Sequence, residues 1–391
     1  MQAGKIWVGL ISMITALLCT MHAAAQAQRT ISIQVRTEKS LPAGDTLFIA
    51  GNFNNWNPAT TPLQFNAKDS SWFTNLQTTV TNFQYKYTRG SWGKVEVLAK
   101  GEDVLNRSFV YPSEIYDTVV AWKDDFKQLS KVSTASKNVT LLNDAFFMPQ
   151  LNAERRIWIY LPPGYKASNK RYPVIYMQDG QNIFDDSTAG FGEWGVDEIL
   201  DSMYTAGVGS SIVVGIASGK QRLNEYNPFN NNVYGAGMGE AYISFISYTL
   251  KPFIDSAYRT LSTAGNTTIA GSSMGGLIAY YAAITKPQIF GRAGVFSPSF
   301  WIAPGLGSIT ENISIKVSGK FFFSIGKLEG AGYVTDMENM MDKLATHSSI
   351  ISYSIITEAG EHNERAWRQT FPLFYKWIMA NGANVILDTA Y

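Results

Sequence analysis

The sequence predicts an α/β protein in two parts: a small all-β sandwich domain, then a three-layer α/β domain. Three observations carry this reading. From Thr30 to about Phe126, short apolar and aromatic runs alternate with turn residues and show no helical pattern. From Val139 onward, continuous apolar runs alternate with stretches of helical period. Between them lies the Lys- and Ser-rich KQLSKVSTASK segment of 127–137, which reads as a linker. The expected division is a leader over 1–27, the sandwich over 28–126, a linker over 127–138 and the α/β domain over 139–391.

Composition agrees with two buried cores. The chain has 391 residues, of which 46% are hydrophobic and 16% charged, too apolar for a disordered chain. With 32 Lys+Arg against 31 Asp+Glu, the net charge of +1 shows no basic excess, so no nucleic acid partner is expected.

At the start, Lys5 precedes an apolar run from Ile6 to Leu18, followed by small residues at Ala25 and Ala27. This is the pattern of a cleavable signal peptide, cut after Ala27, and it predicts a secreted or periplasmic protein. A lipid anchor at Cys19 is the alternative. The run is shorter than the ~20 residues of a membrane span, so no span is expected. Cleavage removes Cys19 and His22, leaving no Cys and only His347 and His362. Disulfides and Cys-based zinc sites are thereby excluded. No metal and no cofactor is expected.

The sandwich strands are Ile31–Val35, Thr46–Ala50, Trp72–Leu76, Phe83–Thr88 and Thr118–Trp122. In the α/β part, Arg156–Leu161 forms a strand stopped by Pro162-Pro163-Gly164. Pro173–Met177, Ile212–Ile216 and Phe321–Ile325 read as buried parallel strands, and Ile351–Ile356 as a further strand. Helices are expected over Val196–Met203, Ala241–Tyr258, Gly276–Ile284 and Val334–Ala345.

The chemistry-bearing stretch is Gly271-Ser272-Ser273-Met274-Gly275, a G-x-S-x-G placed between a short strand and an apolar helix. A nucleophilic serine on a strained strand-to-helix turn needs small neighbours, and the helix N-terminus behind it favours developing negative charge. Ser273 is the candidate nucleophile. It needs a base, and His362 follows a strand end in a Gly-containing loop, where sites form in open α/β sheets. His347 reads as an ordinary helix-end residue. The acid falls between Ser and His in chain order: Glu329, just past Phe321–Ile325, is the candidate, and Asp336, opening the next helix, the competitor. Backbone N–H groups of Met274 and Gln181 are the candidate oxyanion donors, with a plain turn as the alternative for Gln181.

These residues resemble the esterase D-like branch of the α/β-hydrolases, which holds feruloyl and acetyl-xylan esterases of carbohydrate esterase family 1, enterochelin esterases and mycolyltransferases. The resemblance runs over roughly Val139 to Ala380. Tyr176–Asp185, Arg222–Pro228 (RLNEYNP), Gly271–Gly276, Phe296–Trp301 (FSPSFW) and Gly360–Trp367 (GEHNERAW) carry it. It implies an α/β-hydrolase fold and the triad Ser273, Glu329 and His362. Trp194, Arg222, Trp301 and Trp367 are candidates for substrate contact, although buried core positions would explain the tryptophans equally well. The N-terminal part resembles starch- or glycogen-binding modules of families 20 and 48 through Gly51–Pro58, FQYKY at 83–87 and Glu96 with Asn106-Arg107. The resemblance implies sugar contact by Trp56 and Lys86, with Trp92 near the position of a second stacking ring, where Val95 stands. A sandwich that only packs on or shapes the neighbouring domain would read the same way.

The expected activity is hydrolysis of a carboxylic ester by a serine esterase, on feruloyl or acetyl groups of plant polysaccharide. Its partners would be a carbohydrate-linked ester and, through the N-terminal module, polysaccharide. A siderophore esterase, an acyltransferase to a sugar hydroxyl and a non-catalytic glycan-binding protein are the alternatives.

Overall fold

The structure, a computed structural model, describes residues 28–54, 56–80, 82–110, 112–126, 132–231, 235–313, 319–347 and 349–380. The expected leader lies outside the described residues, as do positions 127–131 of the expected linker. The chain divides into two compact units, with the boundary between residues 129 and 130. Among the described residues, no helix is long and apolar enough to cross a membrane.

The first unit contains β1 (Arg29–Thr37), β2 (Phe48–Gly51), β3 (Gln64–Asn66), β4 (Ser71–Thr78), β5 (Asn82–Thr88), β6 (Glu96–Val97), β7 (Arg107–Val110), β8 (Glu114–Val119) and β9 (Ala121–Trp122). One sheet has the order β3-β4-β1-β8, a second β2-β5-β7, and β6 pairs with β9. Period-two alternation explains the burial. Ile31, Ile33 and Val35 of β1 join Phe83, Tyr85 and Tyr87 of β5 in one core, so each sheet turns one face inward. Strands β3, β6 and β7 are too short or too polar to register as apolar runs in the sequence.

A charged network lies inside this unit. Arg107 donates to Glu96 Oε2 at 2.8 Å and to Asp117 Oδ1 at 2.8 Å. The Tyr85 and Tyr87 hydroxyls donate to Asp117 at 2.6 and 2.8 Å. Glu96 is almost wholly buried, and burial raises its pKa against the lowering effect of Arg107. Removing one partner of a buried ion pair leaves an uncompensated charge, at a cost of about 3–5 kcal/mol. Arg107→Ala is therefore expected to destabilise the N-terminal unit by about 3 kcal/mol, measured by urea unfolding. An effect below ~1 kcal/mol would contradict the network's structural role.

In the second unit, β10 (Val139–Met148), β11 (Ala153–Tyr160), β12 (Val174–Gln178), β13 (Ile212–Ile216), β14 (Thr267–Ser272), β15 (Arg292–Phe296), β16 (Gly319–Gly326) and β17 (Ile350–Thr357) form one sheet. Its order is β10-β11-β13-β12-β14-β15-β16-β17. The pairs β10–β11 and β11–β13 are antiparallel and the remainder parallel, so the sheet is mixed, and the three runs expected as buried parallel strands, now β12, β13 and β16, each pair in parallel with a neighbour.

Helices α1 (Val196–Thr205), α2 (Arg222–Glu225), α3 (Gly239–Phe245), α4 (Lys251–Ala257), α5 (Met274–Thr285), α6 (Gly305–Glu311), α7 (Ala331–Ala345) and α8 (Glu364–Met379) complete it, with a π turn joining α3 to α4. Successive residues of β12 separate the faces. Val174 and Tyr176 pack in a cluster with side chains of α3 to α7, whereas Ile175 and Met177 pack with those of α1 and α8. A sheet covered on both faces needs apolar side chains at every strand position, which is why these strands read as continuous runs. Residues of the expected linker are held to this unit. Ser133 Oγ donates to Asp185, Ser136 N–H to Asp197, and Asn138 Nδ2 to Asp201, at 2.6, 2.6 and 2.8 Å.

Candidate active site

Four strand ends build the site. The first is the turn from β14 into α5, where Ser273 adopts φ 58 and ψ −121, a region that ordinary side chains avoid. A Cβ on Gly271 would lie 2.8 Å from the Gly275 carbonyl carbon, so this elbow closes only with glycine there. Helix α5 is buried on nearly every side, which fixes the turn. Met274 is its first residue, and the first N–H groups of a helix have no intrahelical acceptor.

The second is the loop after β12. Asp179 sits in the left-handed region and begins a short turn over Gly180–Asn182. Its carboxylate would lie 3.3 Å from a Cβ added at Gly275, so this loop abuts the nucleophile elbow. The Gln181 side chain donates to Ser218 Oγ at 3.0 Å and accepts from the Ser218 N–H at 3.1 Å, fixing the residue offered as oxyanion donor. Arg222 donates from Nε and Nη2 to Asp179 at 2.6 and 2.7 Å.

The third and fourth are the ends of β16 and β17. Glu329 closes a 3₁₀ turn after β16 and is 4% exposed. Its Oε1 accepts from Gly326 N–H at 2.8 Å and from Ser297 Oγ at 2.7 Å. Its Oε2 accepts from His362 Nδ1 at 2.6 Å, a pairing that leaves Nε2 as the acceptor of the imidazole. A Cβ on Gly326 would come within 2.0 Å of the Gly360 oxygen, so the strand carrying the acid and the loop carrying the histidine meet backbone to backbone.

The structure thus brings Glu329 and His362 into contact and sets Ser273 on a strained elbow. The Ser273 hydroxyl lies 3.2 Å from Ser299 Oγ, its hydrogen-bond partner among the described residues. His347 is elsewhere: it follows α7, with Nε2 2.8 Å from the Thr310 carbonyl. Asp336 does not open a helix, because α7 begins at Ala331 and places it in the second turn.

Two expected substrate contacts are corrected. Trp194 and Trp367 are 3% and 7% exposed and pack on each other with ring centroids 5.6 Å apart. The Trp367 indole N–H donates to Ser297 Oγ at 2.8 Å, which satisfies its polar atom and lets the ring be buried. Both are core residues supporting the site from below; Trp367 also meets the His362 ring edge-on at 5.2 Å. Trp301 is 47% exposed, two residues beyond Ser299. Beside it, Phe229, Asn230, Asn231, Ile302, Pro304 and Gly305 line an open pocket of about 430 Å³. In the first unit, Trp56 and Trp92 are half-buried with ring centroids 6.4 Å apart, and Lys86 is half-buried on β5 with its pKa lowered by desolvation.

Sequence reasoning missed Ser297, Ser299, Asn182 and Glu364. Ser297 has φ 42, directly beyond β15, and hydroxyls beyond a parallel strand end are a readable signal. Glu364 is buried, accepts from Asn182 Nδ2 at 3.1 Å, and has its pKa pushed up to about 7 by desolvation. Asp179 pushes the same way, while His362 and Arg222 oppose it. Between the unperturbed 4.5 and about 7, the native protein keeps a proton that the unfolded chain has released. Stability from this group is therefore greatest below pH 4.5 and declines as pH rises through 7, by a total on the order of 3 kcal/mol. Glu364→Gln is expected to raise Tm at pH 8 and to leave it nearly unchanged at pH 4.5. A Tm gain equal at both pH values would contradict the assignment.

Residues 149–376 match the Esterase family model. The uncharacterised protein YjcH of Bacillus subtilis is 32% identical over 244 residues, 60% of this chain and 95% of its own. An endo-1,4-beta-xylanase/feruloyl esterase of Xylanibacter ruminicola is 30% identical over 143 residues, 36% of this chain but 19% of that protein. The enterobactin esterase FES from Shigella flexneri superimposes with a TM-score of 0.53 at 14% identity, covering 85% of this chain and 87% of its own, a likeness of fold alone. The family match spans more than half of the sequence, a stretch that contains Ser273, Glu329 and His362: the chain belongs to the Esterase family, and its second unit is an ester hydrolase of the α/β-hydrolase fold.

Proposed function

We propose that the protein is a secreted serine esterase acting on carbohydrate-linked feruloyl or acetyl esters through Ser273, His362 and Glu329. The observation that carries the reading is the 2.6 Å contact between His362 Nδ1 and Glu329, in the same unit as a serine held at a strained strand-to-helix elbow. The Ser273 hydroxyl turns from Ser299 toward His362 Nε2, gives up its proton and attacks the ester carbonyl. The N–H groups of Met274 and Gln181 hold the oxyanion. Imidazolium, stabilised by Glu329, returns the proton to the departing alcohol. Water, deprotonated by His362, then releases the acid and restores the serine.

The sugar-linked substrate is supported by the paired rings of Trp56 and Trp92, which suit stacking on a pyranose face, and by the stretch similar to a xylanase/feruloyl esterase. Asn230 and Asn231 in the pocket beside Trp301 offer amides to sugar hydroxyls. Arg222 and Trp301 stay the candidates for substrate contact, and the leader over 1–27 the route of export.

A panel of methyl ferulate, acetylated xylan and a ferric catecholate siderophore tests the substrate class. The expected kcat/KM is at least ~10-fold higher on one of the first two, since a built acyl site discriminates by about that factor or more. Preference for the siderophore would contradict the carbohydrate reading and leave the esterase intact. Trp56→Ala is expected to weaken retention on insoluble polysaccharide about tenfold, with turnover of p-nitrophenyl acetate unchanged. Unchanged retention would remove sugar binding from the N-terminal unit.

A further inference from the structure

We propose that Glu364 is a positioning residue, a clamp that ties the loop of the oxyanion donor Gln181 to the segment carrying His362. This rests on the serine-esterase reading above. An acid at the first position of a helix needs no special role, because the helix dipole favours it there. Such an acid sits in water, however, and Glu364 is 7% exposed. Burying a carboxylate that titrates near neutral pH opposes folding, so a capping role alone does not account for it.

Its bond explains the burial. Glu364 Oε1 accepts from Asn182 Nδ2 at 3.1 Å, joining positions 182 residues apart. Asn182 is the hub of the oxyanion loop. Its own N–H donates to the Asp179 carbonyl at 2.8 Å, its Oδ1 accepts from Gly190 N–H at 3.3 Å, and its carbonyl accepts from Trp194 N–H at 2.8 Å. Gln181 stands immediately before Asn182, so a shift of Asn182 carries the backbone of Gln181 with it. On the other side, Glu364 follows His362 by two residues and starts α8, whose cap Asn363 accepts from Ala366 N–H at 3.0 Å. This hydrogen bond therefore links the segment of the base directly to the oxyanion loop, in addition to the bonds of Gln181 to Ser218 and of His362 to Glu329. A misplacement of 1 Å at such a site costs about 10²-fold in rate. An ionised acceptor makes the stronger bond, which gives a reason for Glu where Gln would also reach.

The test is a double-mutant cycle on p-nitrophenyl acetate at pH 8. Glu364→Ala is expected to lower kcat by about 10–100-fold with KM changed less than about threefold. Glu364→Gln, which can still accept from Asn182, should stay within about fivefold of the parent enzyme. Asn182→Ala should match Glu364→Ala, and the double variant should be no more than about threefold worse than either single one. Should Glu364→Ala fail to fold, Glu364→Asp replaces it: it keeps the charge, withdraws the acceptor by one methylene, and should lose at least about tenfold in kcat. A kcat within threefold of the parent for the Ala or Asp variant, or losses that multiply in the double variant, would overturn the clamp. Ser273→Ala, run alongside, separates the two levels. If it keeps activity, the esterase mechanism fails; if it is inactive while the cycle shows no coupling, only the clamp fails.

Discussion

Glu329→Gln is expected to lower kcat on p-nitrophenyl acetate by about 10³–10⁴-fold while the protein stays folded. The amide is isosteric, so an oxygen can still accept from the Gly326 N–H and Ser297 Oγ that now hold Oε1. Its NH₂ group would face His362 Nδ1, where a carboxylate oxygen now accepts at 2.6 Å. A donor there favours the other imidazole tautomer, with the proton on Nε2, and that nitrogen can no longer take a proton from Ser273. The negative charge that stabilises imidazolium is lost as well. A residual kcat within tenfold of the parent would show that the histidine works without its carboxylate.

Ser273→Ala is expected to abolish the chemistry, with a loss of about 10⁴-fold or more in kcat. Substitution here also reports strain. Ser273 holds φ 58, a conformation that costs a non-glycine residue about 1–3 kcal/mol. Alanine inherits that cost, whereas glycine adopts positive φ readily. Ser273→Gly should therefore be as inactive as Ser273→Ala yet about 1 kcal/mol more stable than it, measured by urea unfolding. Equal stability of the two would mean that the elbow carries no strain.

Much of the fold was legible because buried parallel strands leave a strong sequence trace. Ile212–Ile216 is read to the residue, and Pro173–Met177 and Phe321–Ile325 are off only at their ends. Helix α8 was not, since Pro372 lies inside it and reads as a breaker. Its start was readable from Asn363-Glu364, a cap followed by Trp367, Phe371, Phe374 and Ile378 at helical spacing. As candidates, Ser273 and His362 stand out in the sequence by motif and scarcity. Ser297, Ser299 and Glu364 did not, because their roles come from contacts among β15, the β12 loop and α8 that no local pattern encodes. The tryptophans stayed open between substrate contact and core for a similar reason: sequence marks Trp194 and Trp367 as large and near the site, whereas burial is decided by neighbours such as Phe296 and Phe371.

The central claim is that Ser273 is the nucleophile. A fluorophosphonate probe followed by peptide mass spectrometry tests it most directly, because covalent capture requires an activated serine and identifies it by position. The expected result is a single adduct on Ser273, absent in Ser273→Ala and slowed strongly in Glu329→Gln. An adduct on another serine, or full labelling and ester turnover by Ser273→Ala, would contradict the account.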